Sequence, residues 1–149
     1  MTKHRPTITE GEHIGMARYN LYKDTLDHYR LSLKDGYYLE CITLMESLIK
    51  DRLESLYNEL NAKEDSSDVS LCCITSVLNE IPNSLDVIKE LDEWRKKRNN
   101  AIHGMAKLQD VTTSFSNRYE SLCIVAKNGY DVFRKVDTLI KNYRKNMYK

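Results

Sequence analysis

Proline and glycine are scarce, two and five in 149 residues, which argues against a β-rich chain with many tight turns. No apolar run approaches the ~20 residues that a membrane-spanning helix needs. The stretch Met1–Glu12 is polar and lacks the apolar core of a secretory signal, so a cytoplasmic protein without a membrane partner is expected. The cysteines, Cys41, Cys72, Cys73 and Cys123, contain no C-x-x-C spacing, and the adjacent Cys72 and Cys73 cannot readily share a tetrahedral metal. Free thiols in a reducing cytosol are expected, with no metal site and no cofactor. An excess of one charge is missing too: 23 Lys and Arg stand against 22 Asp and Glu, a net +1. Total charge therefore neither demands nor excludes a polyanionic partner, and the placement of the charges decides.

What the chain does have is helical periodicity. Its length suits a single domain over 1–149, and 41% hydrophobic with 30% charged residues is ordinary for a globular protein. From about Tyr37 to Leu60 the residues Tyr38, Cys41, Ile42, Met45, Leu48, Ile49, Leu53 and Leu56 recur at steps of three and four, one face of a long amphipathic helix. Gly36 separates it from an earlier helix over about His13 to Leu33, striped by Tyr22, Leu26, Tyr29 and Leu33. The polar stretch Ala62–Ser70 reads as a loop, followed by a short helix over about Leu71–Glu80 that stops at Pro82. Asn83 or Ser84 can cap the next helix, which carries Leu85, Ile88, Leu91 and Trp94 inward and runs towards His103. Gly104 lies where a left-handed terminating residue is favoured. A final helix spans about Ser114 to Asn146, with Gly129 as a point of local loosening. The expected architecture is all-α, one up-and-down bundle of four to five helices packed mainly antiparallel.

One segment departs from the amphipathic routine: Arg95-Lys96-Lys97-Arg98-Asn99-Asn100-Ala101-Ile102-His103. From Arg95 to Lys107 the charge is about +5 with no acid. The negative end of a helix dipole explains cations in a last turn, but it does not call for paired amides followed by a histidine. Arg98 and His103 are five positions apart, so on an ideal helix they diverge by about 140°, while Asn99 and His103 share a face. An Arg–His site then requires either that the helix end unwinds near Gly104 or that a second copy supplies the missing partner across a two-fold axis.

The run Arg98-Asn99-Asn100-Ala101-Ile102-His103 resembles the R-x4-H motif of HEPN domains, including the polar residue that often follows the arginine. The long second helix, the motif late in a subsequent helix and the long final helix are similar as well, so the resemblance extends over most of the chain. It implies a helical ribonuclease of the toxin–antitoxin or phage-defence kind, acting without a metal as a homodimer whose two motifs face each other. The products it implies are a 2′,3′-cyclic phosphate and a 5′-hydroxyl. His103 suits proton transfer near neutral pH, and Arg98 suits the charged phosphorane because its planar fork stays protonated. Asn99 could hydrogen-bond the phosphate or orient His103, while Arg95, Lys96 and Lys97 would draw in the RNA backbone. Glu46 could hold Arg98 by an ion pair or lie on a solvated flank; Arg52 could be a second phosphate cation or a snorkelling surface residue.

Set against this is a bland reading of His103 as a helix-terminal residue that satisfies a carbonyl. The corresponding alternative for the whole chain is a non-catalytic HEPN-like module that binds a partner protein or a nucleotide. The resemblance also has a gap. Some HEPN toxins carry, two residues after the histidine, a tyrosine that is modified to silence them, and here that position is Met105. A separate antitoxin or regulatory protein remains compatible with the sequence.

Overall fold

The computed structural model describes residues 8–61, 71–108 and 113–147. The chain is an all-α bundle with the element order α1 (Ile8–Asp35), α2 (Tyr38–Leu60), α3 (Leu71–Ile74), a 3₁₀ turn (Thr75–Glu80), α4 (Leu85–Gly104) and α5 (Phe115–Met147). No strand occurs among the described residues, and no described helix is long and apolar enough to cross a membrane. The expected loop at Ala62–Ser70 lies outside the described residues, as do His4 and the side chains of His13, Cys72 and Cys73.

The break between α1 and α2 is made by Gly36, whose φ of 81° is a backbone conformation that costs glycine nothing. Tyr37 N–H donates to Ser32 O at 2.8 Å and Gly36 N–H to Leu33 O at 3.3 Å, the paired closure of a Schellman motif. The chain therefore folds straight back. Tyr29 Oη reaches Ala126 O at 3.0 Å on α5, and Arg18 reaches Asp51 at 3.1 Å on α2. Before α4 the turn is set by Pro82 and by Asn83 at φ 60°, a left-handed position that asparagine tolerates. Ser84 holds the N-cap position without a side-chain cap bond.

Consecutive long helices alternate in direction, yet the central pair is parallel. Tyr38 N–H meets Tyr119 Oη, Arg52 meets Asp137 and Arg144 meets Glu59, so residue numbers on α2 and α5 rise together. α4 runs against α5, since Glu90 pairs with Lys135 and Gly104 O receives Arg118. Between α2, α4 and α5 lies a core of fully buried aliphatic side chains, including Met45, Ile49, Leu53, Leu91, Val136 and Ile140.

Gly129 does not loosen α5, as the sequence suggests. It is buried, and a Cβ there would stand 2.9 Å from Trp94 Cζ2 and 3.1 Å from Met45 Cβ. The glycine is what lets α5 press against both α4 and α2. The basic last turn of α5 is likewise partly spent on internal pairing: Arg144 Nε lies 2.8 Å from Glu59 Oε2, and Lys141 Nζ lies 2.7 Å from Asp137 Oδ2.

Candidate active site

Trp94 anchors α4. Its ring is buried and its indole N–H donates to Val125 O at 2.9 Å, fixing the helix to α5 by shape and by one directed bond. One turn later Arg98 points at α2, where its Nη2 lies 2.9 Å from Glu46 Oε1 with 14% of the arginine side chain exposed. Of the two readings of Glu46, the ion pair is the one realised. The pair sits in a partly desolvated position, and Arg98 Nε is buried without a hydrogen-bond partner among the described residues. Asn99 is half-buried, whereas His103, in the last turn of α4, is exposed.

Arg98 and His103 do not converge within one chain. α4 remains helical through Gly104, so the divergence of about 140° stands, with Arg98 turned to Glu46 and His103 to solvent. Gly104 does not terminate the helix in a left-handed conformation. It is the last helical residue, and Met105 after it keeps right-handed torsions, φ −56° and ψ −43°. The closure comes instead from Arg118 in the first turn of α5. Its Nη1 donates to Gly104 O at 3.2 Å and to Met105 O at 3.5 Å, and also to Lys107 O. Carbonyls at a helix end have no intrahelical partner and carry partial negative charge, so a guanidinium satisfies both needs. Sequence reasoning missed Arg118. The available signal was a cation in the first turn of α5, the wrong end of its own helix dipole, which makes sense once it faces the end of α4.

The cationic run is less free than its sequence suggests, because one carboxylate upstream serves two of its members. Arg95 Nη2 lies 2.8 Å from Asp92 Oδ1 and Lys96 Nζ lies 3.2 Å from Asp92 Oδ2. The Arg95 hydrogen bond, then that of Lys96, holds the Asp92 carboxyl below its ordinary value, so it is charged at neutral pH. Arg95 and Lys96 are thus partly neutralised, and Arg98 is offset by Glu46. Lys97 and Lys107 are exposed and have no carboxylate within ion-pair distance among the described residues.

Arg52 is neither a phosphate cation nor a snorkelling surface residue. Its side chain is 8% exposed and its Nε lies 2.8 Å from Asp137 Oδ1, off the line of a good hydrogen bond. Its guanidinium also lies 5.9 Å from the centre of the Tyr22 ring. It joins α1, α2 and α5 inside the bundle, six residues and about 9 Å along α2 from Glu46.

The Cys41 thiol fits a structural part. Cys41 is buried, and burial pushes its pKa up to about 11. Among the described residues no group of three or more His, Cys, Asp and Glu side chains could hold a metal ion. No family model, curated protein or solved structure matches the chain.

Proposed function

We propose that this protein is a HEPN-type endoribonuclease, a toxin or phage-defence effector of the cytoplasm, that cleaves RNA without a metal at a site shared by two copies of the chain. The observation that carries the reading is the end of α4: an unbroken helix that holds Arg98 against Glu46 and leaves His103 exposed, about 140° apart. An unwound helix end, the one route to a site within a single chain, is not adopted. That favours the remaining route, in which the two motifs meet across a two-fold axis. Ile102, apolar and 38% exposed, lies between the arginine and the histidine around the helix and would be covered by such a contact.

In this reading the ribose 2′-oxygen attacks phosphorus and its proton passes to the imidazole of His103. The bond from phosphorus to the 5′-oxygen breaks, and that oxygen leaves as a hydroxyl after taking a proton from water. Arg98, oriented by Glu46, meets the charged phosphorane with its planar fork. A positioned proton acceptor and a fixed cation are what the reaction needs from side chains. The test is cleavage of RNA in excess EDTA by the wild type, His103→Ala and Arg98→Ala. The proposal expects the wild type alone to leave 2′,3′-cyclic phosphate ends. Binding without cleavage by all three would point instead to the non-catalytic module.

The charge pattern gives a second expectation. Asp92→Asn removes the carboxylate shared by Arg95 and Lys96. RNA should then bind more tightly, and the slope of log affinity against log salt should steepen by about 0.7 as Lys96 is released to a phosphate. Unchanged binding across a salt titration would mean that the strand does not pass that face of α4.

A further inference from the structure

We infer that the cleft between the end of α4 and the first turns of α5 holds a nucleotide of the RNA strand beside the scissile bond. This rests on the ribonuclease reading and names the surface on which the strand continues. The cleft has a volume of about 280 Å³, near the small end of pockets that take organic ligands, roughly 300 Å³. Leu122 and Val125 form an apolar floor, and Lys97, Asn100, Arg118 and Ser121 stand among its polar lining. Among the described residues no acidic side chain lines it.

The residue types suit a nucleotide part by part. A base can lay its flat face on the apolar floor, and the Asn100 amide offers both a donor and an acceptor to its edge. Ser121, exposed on α5, donates its hydroxyl proton to Arg118 O at 2.6 Å and adds an acceptor oxygen from the opposite wall. Lys97 supplies the charge for the phosphate, since it is exposed and its neighbour Lys96 is already paired with Asp92. Arg118 is held by the carbonyls of α4 and keeps the cleft's outer end positive.

The path is also continuous. Asn100 is three residues from both His103 and Lys97, and each step of three moves about 4.5 Å along the helix and about 60° around it. His103, Asn100 and Lys97 therefore form one descending line on α4, from the reacting group into the cleft. A strand engaged at His103 has this groove as a cationic continuation along the same helix.

The test uses a 2′-O-methyl RNA dodecamer, which binds but cannot be cleaved, with the full-length chain in fluorescence anisotropy. Ser121→Trp fills the cleft without removing charge, and Lys97→Ala removes charge without filling it; circular dichroism checks that both remain folded. Each substitution is expected to weaken binding about tenfold, in line with the loss of one stacked base or one phosphate contact. Only Lys97→Ala should lower the salt slope, by about 0.7. Wild-type affinity in a folded Ser121→Trp chain would overturn the subsite even if the enzyme cleaves RNA. Failure of the wild type to cleave ribose-containing RNA would overturn the ribonuclease reading, while the anisotropy result still decides the cleft. An oligonucleotide that binds none of the forms overturns the subsite.

Discussion

Replacing His103 by alanine is expected to slow RNA cleavage by about 10³-fold, within the range spanned by a positioned general acid or base, while RNA affinity and thermal stability stay near those of the wild type. The separation follows from where the residue sits. His103 is exposed in the last turn of α4, and a surface substitution away from caps and cores usually moves stability by no more than about 0.5 kcal/mol. A single-turnover rate on a fluorogenic RNA, with anisotropy and a melting curve on the same preparation, reads all three quantities. Arg98→Ala should differ in kind. It removes the counter-charge of Glu46, whose side chain is 27% exposed, so both cleavage and stability should fall. Arg98→Lys keeps a charge but loses the planar fork, and is expected to recover stability better than rate. Unchanged cleavage by a folded His103→Ala chain would remove the histidine from the chemistry.

Trp94→Ala is expected to be the most damaging single substitution to the fold's hold on the site, costing about 3–5 kcal/mol. For a chain of this size that corresponds to a fall in Tm of roughly 10–15 °C. Three contributions coincide at this ring: its burial at 2% exposure, its hydrogen bond to Val125 O at 2.9 Å, and the close approach of Gly129. Deleting the ring leaves a cavity at the crossing of α2, α4 and α5 that rigid neighbours cannot easily close. Because Arg98 lies one turn further along the same helix, cleavage should decline with stability rather than independently of it. A Tm within a few degrees of the wild type would show that α4 is held by something other than this crossing.

Much of the bundle was legible in the sequence because each long helix carries its periodicity over many turns. The bounds expected for α2, Tyr37 to Leu60, and those observed, Tyr38–Leu60, differ by a single residue at one end. Gly36 could be read as a break because a positive φ there favours glycine. The candidate residues could also be named, since spacing fixes which side chains share a face of one helix. Spacing does not tell what a face meets. Asp92, one turn before the cationic run, was the near partner that reduces it, and helical spacing alone would have exposed that pair. Arg52 meeting Asp137 and Tyr22 could not be read in the same way, because those partners come from helices far away in sequence. Gly104 was the residue type that often ends a helix, but the cap came from Arg118 on the next one. Gly129 shows the same limit: a poor helix former in isolation, it is required here by the side chains of Trp94 and Met45.

Mixing two inactive variants tests the shared site most directly. His103→Ala chains keep Arg98, and Arg98→Ala chains keep His103, so a dimer containing one of each has one intact pair and one doubly altered pair. Refolding the two together in equal amounts should make half of the dimers mixed and return about a quarter of wild-type cleavage. A mixture as inactive as either variant alone would contradict a site built from two copies of the α4 end.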